Sequence, residues 1–332
     1  MKKWIGKKHR IGFIMTAVLT FLVLLLGGRL VLTDPAEEEP YQLIFIPKTI
    51  DPANGFWTSL IDGARLGAEE LGAEIEVMGA NSEDDVEGQI SIIRQSMEKH
   101  PDALLIAPGD YSQVSDVLQE VVDRGIPLIL LDSVIDRKIA VSEIGTDNYR
   151  AGKELGEYAK SLLKEDSEIG IVSHVKGSST AMERSNGISD GLGEYAQQVR
   201  SIVYCNSSYE KAYELTVDMM ENYPEIDLLV ATNEYGAIGA ARAITDLGLA
   251  GKVKMVGFDS SVEEIQLLEK GVFQAIIIQK PVNMGYLGVE QAINVLTGKK
   301  VEKSLDSGSK LITRENLYEE ENQRLLYPFS GQ

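Results

Sequence analysis

Short apolar runs that close directly on a polar side chain recur along this chain. Lys254-Met255-Val256-Gly257-Phe258-Asp259 is one, and Ile129-Leu130-Leu131-Asp132, Val230-Ala231-Thr232-Asn233 and Ile276-Ile277-Ile278-Gln279 repeat the design. Continuous apolar runs this short read as strands buried on both faces. Between them lie segments with helical spacing, such as Phe56 to Leu71, which stops at Gly72, a residue suited to a helix C-terminus. From Tyr41 the pattern predicts strand 43–46, helix 56–71, strand 74–78, helix 84–99, strand 103–107, helix 112–124 and strand 127–131. It continues with helix 149–163, strand 169–173, helix 181–195, strand 199–204, helix 209–222 and strand 228–231. The segments 237–247, 253–258, 262–269, 273–278 and 284–296 complete the alternation. Strands and helices in strict alternation with short connections predict an α/β protein with parallel sheets covered on both faces. At 332 residues the chain exceeds the usual single domain, so two doubly wound lobes are expected.

The first forty residues follow a different pattern. Lys2, Lys3, Lys7, Lys8 and Arg10 precede Ile11 to Gly28, an apolar run at the short end of what crosses a bilayer. The basic flank places that end in the cytoplasm and the remainder outside. An uncleaved membrane anchor is the expectation, because Arg29-Leu30-Val31-Leu32 after Gly27-Gly28 makes a poor cleavage site; a cleaved signal peptide is the competing reading. No cysteine near the run is available for lipid attachment. Thr33 to Pro40, acidic and bounded by prolines, reads as a linker.

Charge narrows the partners. The net charge is −19, and setting aside the first forty residues, with six basic and four acidic side chains, leaves about −21. Such a surface repels phosphate backbones, so nucleic acid is excluded as a partner. Cys205, the only cysteine, rules out an internal disulfide and a multi-cysteine metal site, and reads as a small core residue. No phosphate-binding loop or dinucleotide fingerprint follows the first strand, and no cofactor is expected. Glu83-Asp84-Asp85 lacks calcium-loop spacing and reads as favourable charge at a helix N-terminus. Of the three histidines only His174, after a strand, could approach a cleft, and no nucleophile stands beside it in a recognisable motif, so the chain does not read as an enzyme.

The candidate chemistry lies just past the strand ends. Asn54, Phe56 and Trp57 follow the first strand; Asp132, Asn233, Asp259 and Gln279 close later ones; Arg184 sits in the stretch Ser178 to Asn186. Carboxylates, a guanidinium, amides and two aromatics suit a neutral, polyhydroxylated ligand. Hydroxyls both donate and accept, and aromatic faces cover the C–H side of a sugar ring. Taken singly, each residue has a plainer reading. An aspartate can form a turn or cap a helix, the aromatics can be core, and Arg184 can pair with Glu183 or Asp190 at the surface. Their shared position at one end of successive strands favours a common cleft, where open α/β sheets bind ligands.

From about Tyr41 to Leu296 the chain resembles the type I periplasmic sugar-binding proteins of the ribose and galactose group, which share a fold with the effector domains of lactose-repressor-like regulators. The motifs that carry the resemblance are Asn54-Gly55-Phe56-Trp57 with Leu60-Ile61-Asp62-Gly63, Leu131-Asp132, Ala181-Met182-Glu183-Arg184, Thr232-Asn233-Glu234, Val256-Gly257-Phe258-Asp259 and Gln279-Lys280-Pro281, in order and at compatible spacings. The resemblance implies the periplasmic binding protein type I fold, with two lobes joined by a three-segment hinge. Lobe one would hold 41–146 and 280–308, and lobe two 147–279 and 309–332. It implies a monosaccharide, pentose or hexose, held in the cleft by Asn54, Phe56, Trp57, Asp132, Arg184, Asn233, Asp259 and Gln279, with hinge closure as the output. Asp259 would accept hydrogen bonds from two sugar hydroxyls, facing Asp132 across the cleft. The expected partner of this monomeric extracytoplasmic domain is the permease of an ABC importer; the alternative is a membrane-tethered sensor that signals to a histidine kinase or chemoreceptor. A repressor would need a DNA-binding helix pair where the apolar segment stands. Three positions depart from the family pattern. Ala107 stands for an asparagine after the third strand, Ser133 for an arginine after Asp132, and only Tyr209 is a candidate for an aromatic expected after Cys205. The sugar's identity is therefore left open.

Overall fold

A computed structural model describes residues 39–327, together with Val18 and Thr20. The chain divides into two units, 1–40 and 41–332, and the architecture below is that of the second. Apart from Val18 and Thr20, the expected anchor lies outside the described residues, as does most of the linker. Among the described residues no helix is long and apolar enough to cross a membrane.

Two six-stranded sheets form the second unit. The first is built from β1 (Tyr41–Ile46), β2 (Ala73–Val77), β3 (Ala103–Ile106), β4 (Leu128–Leu131), β5 (Ser142–Gly145) and β11 (Ser304–Asp306), in the order β11-β5-β4-β3-β1-β2. All its pairings are parallel. The second contains β6 (Glu168–Ser173), β7 (Val199–Tyr204), β8 (Ile226–Ala231), β9 (Lys254–Phe258), β10 (Ala275–Gln279) and β12 (Ser309–Thr313), in the order β12-β10-β9-β8-β6-β7. Only its edge strand β12 runs antiparallel, against β10. The fold is thus two α/β lobes, and the alternation of apolar runs with helical segments has its expected cause. Parallel strands need helical crossovers, and the crossovers cover both faces.

That double covering is visible residue by residue. Leu43 and Phe45 of β1 enter one core, while Ile44 and Ile46 enter the core on the opposite face. Ile276 and Ile278 of β10 are likewise divided from Ala275 and Ile277. Cys205 is fully buried in the core of the second lobe.

The helices that matter for the site are α1 (Gly55–Leu71), α5 (Ser179–Leu192), α7 (Glu234–Asp246) and α9 (Pro281–Leu296), numbered among the described helices with α2 (Val86–Met97), α3 (Ser115–Asp123), α4 (Asn148–Ser161), α6 (Tyr209–Asn222), α8 (Val262–Glu269) and α10 (Glu320–Leu326). Asn54 caps α1 by accepting from the Trp57 N–H, and Gly72 ends it in the left-handed region at φ 71°. Helices α1 and α9 cross with their backbones in contact. A Cβ on Gly63 would lie 2.1 Å from the Val282 carbonyl oxygen, and one on Gly285 2.1 Å from that of Leu60. This close crossing locks α1 against α9. The elements absent from the sequence expectation are β5, β11, β12 and α10. Each is short, and β5 and β11 carry a single large apolar residue apiece, too little for a periodic signal.

Candidate functional site

The strand tips of both sheets converge on one small cavity. All eight residues singled out in the sequence line it: Asn54, Phe56, Trp57 and Asp132 from the first sheet's side, Arg184, Asn233 and Asp259 from the second, and Gln279 at the end of β10. The plainer readings fail for Arg184, which is 2% exposed and pairs with no surface acid. For Trp57 both readings hold, because its ring belongs to the lobe-one core and also walls the cavity.

The two strand-end aspartates share an unusual backbone. Asp132 has φ 61° and Asp259 φ 82°, in the region that disfavours most side chains. Each still donates its N–H to the neighbouring strand, Asp132 to the Ile144 carbonyl at 2.9 Å and Asp259 to that of Ile277 at 2.8 Å. The left-handed twist therefore falls on the last paired residue, so the carboxylate leaves the sheet directly at its tip. This is the local reason that the apolar runs close on a carboxylate with no intervening turn.

Asp132 is not free to act alone. Lys48, 3% exposed, places Nζ 2.8 Å from Asp132 Oδ2, lies 5.8 Å from the Trp57 ring centroid, and approaches Thr180 Oγ1 at 3.5 Å. The Ser133 hydroxyl also donates to Asp132 Oδ2, at 2.7 Å. A cation thus stands beside Asp132, supplied by Lys48 just past β1, although Ser133 follows Asp132 in the chain. Burial works to raise the Asp132 pKa, but Lys48 and Arg184 together hold it below the usual value.

On the opposite wall Arg184 donates from Nε to Asn148 Oδ1 at 2.8 Å and from one terminal nitrogen to the Thr232 carbonyl at 2.6 Å. Its guanidinium lies 4.3 Å from the Phe258 ring centroid and lines the cavity. Asp259 accepts from the Glu234 N–H at 2.8 Å and from Gln279 Nε2 at 2.6 Å, so each oxygen keeps one further lone pair for a ligand. Burial pushes the Asp259 carboxyl up, and Arg184 opposes that. Asn233 caps α7 through Oδ1 and donates from Nδ2 to Ser207 at 3.2 Å.

Four more residues line the cavity, Lys48, Glu83, His174 and Thr180, and of these the sequence points only to His174. Lys48 carried no motif. Glu83 belongs to an acidic run that predicts charge at a helix start, but the cap of α2 is Asp85, and Glu83 is buried, accepting from Trp57 Nε1 at 2.6 Å and from the Ser207 hydroxyl at 2.6 Å. Burial raises its pKa. His174 does reach the cavity, held between Thr232 Oγ1 at 2.8 Å and Thr180 Oγ1 at 2.9 Å. Burial, then Arg184 and Lys48, push its pKa well below the usual histidine value, so the ring stays neutral. Tyr209 does not line the cavity. Its ring packs on Tyr235, with centroids 4.6 Å apart, and the loop before it offers Ser207 where an aromatic was expected.

Behind Asp259 two more carboxyls are buried. Burial, reinforced by the Asp259 charge, pushes Glu234 up to about 7. Burial, with the charges of Glu234 and Asp259, pushes Glu264 well above the carboxylate range. Glu264 Oε2 closes a capping box by accepting from the Ser261 N–H at 2.7 Å, while Oε1 has no hydrogen-bond partner. Because the folded pKa is raised, the folded chain binds the proton more tightly, and stability declines as pH rises above the unfolded value of 4.5. Glu264→Gln keeps the capping acceptor and removes the ionisation. The variant is expected to unfold at a higher temperature than the wild type at pH 8, with the gap closing toward pH 5, as read by calorimetric melts across that range.

The family described as a periplasmic binding protein domain matches residues 44–300. A D-ribose/D-allose-binding protein of Pseudomonas aeruginosa is 30% identical, over 76% of this chain and 82% of that one. A sugar transporter structure from Clostridium phytofermentans is 42% identical with a TM-score of 0.79, covering 82% of this chain and 99% of that one. A carbohydrate transporter solute-binding protein from Agrobacterium radiobacter, in complex with D-arabinose, is 27% identical with a TM-score of 0.82, covering 88% of this chain and all of that one.

Proposed function

The chain belongs to the periplasmic binding protein domain family, and from that premise we propose that it captures a monosaccharide outside the cytoplasm and presents it to the permease of an ABC importer. One observation carries the reading: donors, acceptors and aromatics from the tips of two separate sheets converge on one cavity. We place lobe one at 41–146 with 280–308, and lobe two at 147–279 with 309–332. A ligand that touches both favours the closed arrangement through contacts absent when the lobes part. Asn54, Phe56, Trp57 and Asp132 hold it from lobe one, Arg184, Asn233 and Asp259 from lobe two, and Gln279 at the hinge. Lys48 adds an ammonium that donates to a hydroxyl beside Asp132.

The charge of the lining speaks for a neutral ligand. Glu83, Asp132 and Asp259 oppose Lys48 and Arg184, so an added carboxylate or phosphate meets no spare cation. The relatives' ligands, D-ribose or D-allose and D-arabinose, are neutral single-ring sugars. The basic flank and apolar run at 11–28 support export across, or attachment to, the cytoplasmic membrane.

A thermal-shift screen over pentoses, hexoses and inositols, with amino acids and nucleosides alongside, tests the reading. A pentose or hexose is expected to raise the melting temperature, since a ligand at a hundred times its dissociation constant adds about 2.7 kcal/mol. Stabilisation by an amino acid or nucleoside and by no sugar would sink the ligand assignment.

A further inference from the structure

We infer that Glu234 is a latch: a lobe-two carboxylate that holds the cleft shut by capping the N-terminus of a lobe-one helix. It rests on the closure reading above and not on the identity of the ligand. Helix α1 begins at Gly55, and Asn54 satisfies only the Trp57 N–H. The N–H groups of Gly55 and Phe56 are orphans of the first turn, with no partner inside the helix. Both are taken by Glu234, Gly55 N to Oε1 at 3.0 Å and Phe56 N to Oε2 at 3.1 Å. A bidentate carboxylate on a helix N-terminus gains from the aligned peptide dipoles as well as from two charge-assisted bonds.

The latch is braced on its own side and flanked by further contacts between the lobes. The Tyr209 hydroxyl donates to Glu234 Oε1 at 2.7 Å, and the Glu234 backbone N–H is held by Asp259. Tyr235 donates across the cleft to Asp51 Oδ2 at 3.0 Å. Glu234 itself is 1% exposed and does not line the cavity, so it is a positioning residue that acts on closure rather than on the ligand. Its backbone N–H bonds to the cavity carboxylate Asp259 while its side chain grips the opposite lobe, so one residue joins the cavity to the latch.

The test needs no ligand. Nitroxide labels on Glu69→Cys in α1 and Glu214→Cys in α6, both exposed, report the separation of the lobes by pulsed electron resonance in the full-length protein, whose one native cysteine is buried. The wild type is expected to show a short-distance, closed population without sugar, and Glu234→Ala to reduce it at least roughly tenfold. Gly55→Pro attacks the same contact from the other lobe and does not depend on Glu234→Ala folding. Proline is favoured at the first helical position, and Asn54 before it is already extended at φ −90°, ψ 119°. It should open the cleft partly, and the double variant should be no more open than Glu234→Ala alone. Gly55→Ala keeps the N–H, its Cβ meeting Glu234 Oε2 at an ordinary 3.4 Å, and should stay closed. A wild type found only at the long distance, variants indistinguishable from it, or additive effects of the two changes would overturn the latch. A failed sugar screen leaves these distances untouched, so the two readings fail separately.

Discussion

Arg184→Ala is expected to abolish sugar binding while leaving a folded protein. The guanidinium is anchored on three sides, by Asn148, by the Thr232 carbonyl and by the Phe258 ring, so its remaining donors are fixed before any ligand arrives. Preorganised donors lose little entropy on binding, and hydrogen bonds from a charged group contribute about 1.5–3 kcal/mol each. Two such bonds to adjacent hydroxyls correspond to a loss of at least a hundredfold in affinity. The change also removes the cation that opposes the burial of Asp259, which then takes up a proton more readily and accepts less well. Arg184→Lys restores the charge without the fork or the stacking plane, and should recover only a small part of the affinity. Titration calorimetry on the three proteins, with circular dichroism to confirm the fold, checks the ordering.

Lys48→Met should damage both stability and binding, in a way that can be taken apart. Methionine fills the same space against Trp57 but leaves Asp132 buried without its ion partner. Breaking one side of a buried pair costs about 3–5 kcal/mol, because the remaining charge is stranded. The pH dependence follows from the sign of the shift. In the wild type the Asp132 pKa is lowered, so its contribution is present above the unfolded value of 3.8 and is lost on acidification. Without Lys48, only Arg184 and Ser133 oppose the burial of Asp132, so the variant's deficit should be largest at neutral pH and shrink as the carboxyl is protonated on acidification. Lys48→Met with Asp132→Asn removes both charges and is expected to recover most of the melting temperature but none of the sugar binding. A double variant as unstable as the single one would show that Lys48 matters for packing alone.

Much of this site could be read from the chain because its parts lie at strand tips. A continuous apolar run marks the strand, and the residue that closes it marks the tip, so Asp132, Asn233, Asp259 and Gln279 were legible from periodicity. Lys48 lies only two residues past Ile46, at the same end of the sheet, and its position was the available signal. Glu83 gave none, since it stands in the run Ser82-Glu83-Asp84-Asp85 and only tertiary packing decides which of three acids turns inward. Ser207 was hidden for a related reason. Its positive φ of 52°, after 51° at Asn206, turns a short polar loop toward Glu83 where an aromatic was expected. The lobe pattern was legible from strand–helix alternation, whereas β5 is four residues with one large apolar side chain, and β11 and β12 depend on partners far along the chain that no local signal announces.

The central claim is that one neutral sugar ring is held between the two lobes, and titration calorimetry of the wild-type protein tests it most directly. A pentose or hexose is predicted to give saturable heat at one site per chain, the cleft where the strand tips of both sheets meet. Saturable heat from an amino acid or nucleoside, with none from any monosaccharide, would contradict the account.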